Sequence, residues 1–164
     1  MFIGGRSGVG KTTVALALHD LLVQRDIVHA VIEGDALDLA HPEPWQHQLA
    51  ERNLAAMWFN YRELGYRRLI YTNTVSVLET DGLALAMSGA PAVFAVLLEA
   101  DTTTTDARLA RRESGRQLEA HRRRSALAAQ RLAVAAPPSV HRIPTAERTP
   151  EEIALEILEL LGWT

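Results

Sequence analysis

The segment that decides the fold is Gly5-Arg6-Ser7-Gly8-Val9-Gly10-Lys11-Thr12, which matches the pattern G-x-x-x-x-G-K-[S/T] at every fixed position. Its glycines let the backbone curl until several N–H groups point at one anion, and the helix that begins there favours negative charge through its unpaired N–H groups. A short apolar stub, Phe2-Ile3, precedes the segment, and apolar residues at helical spacing follow it over residues 14–22. The sequence therefore predicts a phosphate-binding loop between a strand and a helix.

The predicted loop contains Lys11, which is the only lysine of the chain. The other 16 of the chain's 17 basic residues are arginines. At this position the Lys11 ammonium group reaches the β- and γ-phosphates of a nucleotide as a mobile point charge. The hydroxyl of Thr12 is predicted to bind Mg²⁺. We expect ATP to be bound by the loop and the start of the helix, at Gly5, Arg6, Ser7, Gly8, Val9, Gly10, Lys11, Thr12 and Thr13.

Apolar runs alternate with helical patterns along the rest of the chain. Further strands are predicted at residues 29–32, 69–71, 92–98 and 140–143. Helices are predicted at residues 45–65, 78–87, 105–115, 118–133 and 149–161. This alternation is typical of a parallel sheet whose ligands bind beyond the carboxyl ends of the strands. We predict one domain over residues 1–164: a three-layer α/β/α fold with a parallel five-stranded P-loop NTPase sheet and an arginine-rich helical lid at about residues 102–134.

The composition excludes several classes of protein. With 164 residues, 48% hydrophobic and 23% charged, the chain suits one globular domain. The lack of cysteine excludes a disulfide scaffold, a thiolate zinc site and a cysteine nucleophile. A net charge of −3 argues against a nucleic-acid partner, and no apolar run is long enough for a membrane span. No leader precedes the loop, so we expect a cytoplasmic protein. We also expect a monomer or homodimer, and whether the native start lies upstream of Met1 stays open.

A carboxylate follows the second predicted strand, in Glu33-Gly34-Asp35. Topology places this strand end beside the phosphate loop, where Asp35 can accept a proton from an attacking hydroxyl or hold Mg²⁺ through water. The alternative is that Asp35 caps a turn. The third strand ends in Thr72-Asn73-Thr74, without the aspartate that switch GTPases and motor ATPases use for Mg²⁺. These classes are therefore disfavoured, and Asn73 becomes a candidate substrate contact.

Three features occur together: the phosphate loop, a strand that ends in Gly34-Asp35, and His41-Pro42 a few residues on. This combination resembles the small-molecule kinase branch of the P-loop proteins, which includes gluconate kinase, shikimate kinase, adenylylsulfate kinase and chloramphenicol phosphotransferase. The resemblance implies that Asp35 contacts the acceptor hydroxyl, as a base or an orienting group. His41 is a candidate substrate residue, or simply a loop histidine. The resemblance also implies that Pro144 and Thr145 pack on the adenine ring.

Eight of the sixteen arginines lie between residues 108 and 131, where Glu113 and Glu119 are the only acidic residues. Arginines three or four positions apart project from one helical face and can clamp a transferring phosphoryl group. The run from Arg108 also resembles the lid helix of nucleoside-monophosphate and shikimate-type kinases. That resemblance implies that Arg108, with Arg111 or Arg112, closes over the ATP phosphates.

The helix predicted from residue 45 brings Asn53, Met57 and Asn60 to one face, which lines either an acceptor pocket or the core. Together these patterns indicate an ATP-dependent small-molecule kinase that transfers the γ-phosphate of Mg·ATP to a hydroxyl. The alternatives are a nucleotide-binding regulatory module, an NTPase without an acceptor, and a kinase of a nucleotide-sugar or antibiotic. The acceptor and the choice between ATP and GTP stay open.

Overall fold

The computed structural model describes residues 1–111 and 114–163, and at Trp45 only the backbone. Five short strands form one parallel sheet in the order β2-β3-β1-β4-β5. They are β1 (Phe2–Gly4), β2 (Ala30–Glu33), β3 (Leu69–Thr72), β4 (Ala95–Glu99) and β5 (His141–Pro144). Because the register pairs Ile3 with Thr72 and Val96, the carboxyl ends of the central strands meet at one edge. The predicted α/β fold with a five-stranded parallel sheet is confirmed.

The connections between the strands are helical. The helices are α1 (Lys11–Gln24), α2 (Leu49–Glu63), α3 (Thr80–Met87), α4 (Thr102–Ala110), α5 (Gly115–Ala135) and α6 (Pro150–Leu161). Short 3₁₀ turns lie at Gly34–Ala36, Trp45–His47 and Ser76–Leu78. Within the described ranges no helix is both long and apolar enough to cross a membrane.

Alternate residues of each strand face opposite layers, because successive side chains of a strand point to opposite sides. In β1, Ile3 packs with α1 and α6, whereas Phe2 packs with α2 and α3. In β4, Val96 and Leu98 join the first layer, and Leu97 packs against Leu132 of α5. The sheet is therefore covered on both faces, and its carboxyl edge is left for a ligand.

Several predicted boundaries were wrong. The helix predicted at residues 105–115 begins at Thr102, because the Asp101 side chain caps it there, and α5 begins at Gly115 rather than at residue 118. Helix α2 begins at Leu49 rather than at residue 45, because Gln48 adopts a left-handed conformation (φ 49°) that interrupts the helix. Strand β4 begins at Ala95 rather than at residue 92, because its pairing starts there with Phe2 of β1 and one residue later with His141 of β5. Residues before Phe94 have no neighbouring strand to pair with, and Val93 is exposed.

Helix α6 has a complete capping box at its start. The Thr149 hydroxyl accepts a hydrogen bond from the Glu152 backbone N–H, and the Glu152 carboxylate accepts one from the Thr149 N–H. Pro150 occupies the first turn, where its missing N–H costs nothing. Helix α6 packs on α1, the helix that follows the phosphate loop. The cap therefore stabilises the helical layer on that face of the sheet.

We expect Thr149→Ala to lower the free energy of unfolding by about 1 kcal/mol, since it removes one half of the box. Urea denaturation measures the change. Thr103→Ala, at an exposed threonine of α4, is the matched control and should lie within about 0.5 kcal/mol of the parent. Equal stability of both variants would show that the cap contributes nothing.

Candidate active site at the phosphate loop

The phosphate loop covers residues 5–10, between β1 and α1. Gly8 and Gly10 have φ values of 82° and 107°, which favour glycine. A Cβ at Gly8 would also lie 2.7 Å from the carbonyl oxygen of Thr105 in α4. The loop therefore needs glycine for its conformation and for its close contact with the lid helix.

Lys11 lies at the start of α1, with only 9% of its surface exposed. Its Nζ donates to the Gly5 carbonyl oxygen at 2.9 Å, across the loop. Burial lowers the pKa of Lys11, and the negative charges of Asp35 and Glu33 oppose that shift. The ammonium group is thus held between the loop and the carboxylates at the end of β2.

Those two carboxylates have different partners. The Thr12 hydroxyl donates to the Glu33 carboxylate. The Asn73 side-chain N–H donates to Asp35 Oδ1 at 2.8 Å, and Asn73 Oδ1 accepts from the backbone N–H of Val75 at 2.9 Å. The backbone bond fixes which way the Asn73 amide faces, so its N–H group points to Asp35.

Gly34 sets the position of Asp35. A Cβ at Gly34 would lie 2.3 Å from ring and hydroxyl atoms of Tyr71, so no side chain fits there without movement of that ring. Tyr71 is 2% exposed and packs edge-on against Phe2, with ring centroids 5.7 Å apart. The turn that carries Asp35 therefore rests directly on the core.

A cavity of about 460 Å³ lies beside the loop. Among the described residues its lining includes four basic side chains: Lys11, Arg108, Arg111 and Arg148. Glu33 and Asp35 line it as well, and Thr145, Pro150 and Ile153 contribute from the segment after β5. The arrangement combines basic side chains suited to a phosphate chain with two carboxylates.

Arg108 joins the lid helix to the loop. Its Nη1 donates to the Val9 carbonyl oxygen at 3.0 Å and to Thr145 Oγ1 at 3.2 Å, and its Nη2 donates to the Thr145 carbonyl oxygen at 3.2 Å. Thr145 is buried, and its hydroxyl also donates to Val9. These bonds place Arg108 where the loop meets the chain after β5, and its closure over the phosphates stays a prediction.

The side chain of Arg6 is directed into the lid rather than towards the cavity. Its Nε donates to Ser125 Oγ at 2.9 Å, and its Nη1 donates to Thr102 Oγ1 at 3.1 Å. Asp106 lies 3.8 Å from Arg6 and 3.7 Å from Arg122. The guanidinium therefore connects the loop to α4 and α5, so only the backbone of Arg6 remains a candidate contact for a nucleotide.

Several predicted site residues do not lie at the cavity. His41, Met57 and Asn60 are exposed and do not line it. Asn53 donates instead to the Leu37 carbonyl oxygen at 2.6 Å, which ties the loop after β2 to α2. Pro144 is exposed at the end of β5. Arg112 lies outside the described residues.

The prediction noted Glu33 as a strand-end residue but gave it no role, and it missed Arg148 altogether. Arg148 follows the carboxyl end of β5, and that position is the signal that could have identified it. Arg148 also forms an ion pair with Glu156 at 2.6 Å, so its guanidinium is held at the cavity by α6. His121 of α5 lines the cavity as well, and no sequence motif singles it out.

No protein-family model matches this sequence, and no curated protein is significantly similar to it in sequence. Solved structures are similar in fold. The tunicamycin resistance protein of Deinococcus radiodurans has a TM-score of 0.69 at 21% identity, covering 100% of this chain and 95% of that one. The Mycobacterium tuberculosis APS kinase, solved with AMPPNP and APS, has a TM-score of 0.61 at 20% identity, covering 98% and 95%.

The shikimate kinase of Acinetobacter baumannii, solved with shikimate, has a TM-score of 0.62 at 15% identity, covering 98% of this chain and 91% of that one. The structural neighbours thus include an APS kinase and a shikimate kinase, so the resemblance given by the sequence is confirmed at the level of the fold. At these identities the likeness establishes the fold alone.

We expect Gly34→Ala to destabilise the protein by about 1–3 kcal/mol, because the new methyl group overpacks the buried Tyr71 ring. Thermal and urea unfolding measure the effect. Gly82→Ala is the matched control, since a Cβ there meets nothing within 4 Å. A Gly34→Ala protein as stable as the control would contradict the contact with Tyr71.

Proposed function

We propose that this protein is an ATP-dependent phosphotransferase that moves the γ-phosphoryl group of Mg·ATP to a hydroxyl of a small molecule. The observation that carries the proposal is that Asp35, hydrogen-bonded by Asn73, lines the same cavity as the phosphate loop. A site of this kind has both a triphosphate cradle and a proton acceptor. The fold that it shares with APS kinase and shikimate kinase supports the same reaction class.

The nucleotide is proposed to lie along the cavity with its phosphates on the loop N–H groups and the Lys11 ammonium. Among the described residues the Lys11 ammonium donates only to the Gly5 carbonyl oxygen, so donors remain for phosphate oxygens. Arg111 and Arg148 line the same cavity and supply further positive charge for the oxygens of the transferring group. The adenine base of the nucleotide is proposed to lie near Thr145, beside Arg108.

The transfer step is a displacement at the γ-phosphorus. The acceptor oxygen forms a bond to that phosphorus, the bond from phosphorus to the β–γ bridging oxygen breaks, and ADP leaves. Asp35 takes the proton of the acceptor hydroxyl. Its Oδ1 already accepts from Asn73, whereas its Oδ2 has no hydrogen-bond partner among the described residues. The bond to Asn73 therefore orients the carboxylate and leaves one oxygen for the acceptor.

The residues present suit Mg²⁺, which prefers oxygen ligands and keeps several waters. The Thr12 hydroxyl would hold the ion, and the Glu33 carboxylate, already hydrogen-bonded to that hydroxyl, would hold it directly or through water. Bound there, Mg²⁺ would neutralise charge on the β- and γ-phosphate oxygens. ATP as the donor also accords with the cytoplasmic location predicted from the sequence.

We expect Asp35→Asn to lower phosphorylation of the acceptor by about 10²–10⁴-fold, since the amide cannot take the proton, while Mg·ATP binding survives. The acceptor is first found by a screen of sugars, nucleosides and antibiotic alcohols, with products identified by mass. Asp20→Asn, at an exposed carboxylate of α1, is the matched control. Full transfer by Asp35→Asn would contradict the role of base, and phosphate release that needs no acceptor would favour an NTPase.

We expect Lys11→Ala to weaken Mg·ATP binding by about a hundredfold, because it removes a charge-assisted contact with the phosphates. Titration calorimetry measures the affinity. Arg25→Ala removes an exposed positive charge just beyond the other end of α1 and should leave the affinity unchanged. Equal affinity of Lys11→Ala and the parent protein would contradict the nucleotide site.

A further inference from the structure

The hydroxyl of Ser125, in the middle of helix α5, is buried against the phosphate loop. The residue is only 1% exposed, and it lies 118 positions along the chain from Ser7. Its Oγ donates to the Ser7 carbonyl oxygen at 3.0 Å and accepts from Arg6 Nε at 2.9 Å. A single side chain of the lid therefore contacts two successive residues of the loop.

The two partners of Ser125 leave its hydroxyl hydrogen only one direction. A serine hydroxyl carries one hydrogen, and its oxygen can also accept. The Arg6 guanidinium can only donate, so the hydroxyl oxygen accepts from it. The Ser7 carbonyl oxygen can only accept, so the hydroxyl hydrogen points to it. The hydrogen bond from Ser125 to Ser7 is thus fixed in direction as well as in place.

This hydrogen bond also fixes the orientation of the peptide group between Ser7 and Gly8. Peptide bonds that do not precede proline are trans, and the C=O and N–H of a trans peptide are coplanar and point in opposite directions. The Ser7 carbonyl faces Ser125, which is not among the residues that line the cavity. The Gly8 N–H therefore faces away from Ser125, and Gly8 itself lines the cavity.

The Gly8 N–H is free to bind a ligand. Within residues 1–111 and 114–163 it donates to no acceptor, whereas the next N–H along the loop, that of Val9, donates to the Arg6 carbonyl oxygen at 3.3 Å. Backbone N–H groups turned to one side of a loop bind anions, and a phosphate oxygen is a strong acceptor for them. The hydroxyl of Ser125 thus controls an N–H donor at the cavity that the protein itself leaves unused.

A second glycine of the loop provides an internal comparison. The peptide between Val9 and Gly10 is held by other residues, since the Val9 carbonyl oxygen accepts from Arg108 Nη1 at 3.0 Å and from Thr145 Oγ1 at 3.1 Å. Gly10 also lines the cavity. A change at Ser125 should therefore affect the Gly8 N–H and leave the Gly10 N–H as it is.

We propose that Ser125 is a positioning residue of the phosphate site: its hydroxyl holds the Ser7 carbonyl so that the Gly8 N–H is directed at a bound phosphate oxygen. The inference rests on the proposed nucleotide site. Ser125 itself touches neither the nucleotide nor the acceptor. Because it belongs to α5, the affinity of the loop for phosphates depends on the contact between the lid and the loop.

The first test compares the parent protein and Ser125→Ala by titration calorimetry. The ligands are Mg·ATP and magnesium tripolyphosphate, which has the phosphates without the base. We expect Ser125→Ala to bind both about tenfold more weakly, because one N–H contact to a charged oxygen is weakened or lost. Thr102→Ala is the matched control, since it removes the other hydroxyl that contacts Arg6 and leaves the Ser7 carbonyl bonded. Parental affinity in Ser125→Ala, or an equal loss in both variants, would overturn the inference.

The second test follows the amide signals of the loop by NMR while magnesium tripolyphosphate is added. In the parent protein we expect the Gly8 amide proton to move downfield, because its N–H donates to a phosphate oxygen. In Ser125→Ala this movement should be smaller, whereas that of the Gly10 amide proton should stay the same. A general loss of structure would change both glycines alike and would contradict the inference. A Gly8 signal that does not move in the parent protein would overturn it, even if Ser125→Ala does not fold.

The parent protein separates this inference from the proposed function. Binding of Mg·ATP without a response of the Gly8 signal would remove the role of Ser125 and leave the nucleotide site intact. A failure of the parent protein to bind either Mg·ATP or magnesium tripolyphosphate would instead refute the function on which the inference rests.

Discussion

The backbone conformation of residues 5–10 constrains everything else in this site. Positive φ values at its glycines turn the N–H groups inwards and leave no space for side chains against α4. The same curl brings the Gly5 carbonyl oxygen within 2.9 Å of the Lys11 ammonium, so the loop and its cation hold each other in place. The cavity, the lid contacts and the carboxylates are all arranged around this one turn.

Two arginines, Arg6 and Arg108, connect the phosphate loop to helices α4 and α5, and they do so from opposite directions. Arg6 is buried and reaches out of the loop to Ser125 in the middle of α5 and to Thr102, the first residue of α4. Arg108 reaches in the opposite direction, from α4 to Val9 and Thr145. Because each guanidinium offers several fixed donors, the two contacts set the angle of the lid as well as its distance from the loop.

Much of the architecture and part of the site followed from the sequence. The loop motif is local, and the alternation of strands and helices was sufficient to place Asp35 beside Lys11, since parallel strands end at one edge. The predictions that failed concern contacts between residues that are distant in the sequence. Nothing local shows that Arg108 meets Thr145, or that α2 turns Leu54 and Trp58 inwards and so leaves Met57 and Asn60 exposed. A rotation of about 100° per residue decides which face of a helix is buried, and only packing fixes it.

The contact between Gly34 and Tyr71 means that the position of Asp35, the proposed proton acceptor, depends on packing in the interior of the protein. Tyr71 stands on Phe2, and Phe2 belongs to the same strand that leads into the phosphate loop. The distance between Asp35 and the phosphate loop therefore depends on these packed rings, which tolerate little compression. Substitutions in this buried layer can therefore shift Asp35 relative to the phosphate loop without touching either of them.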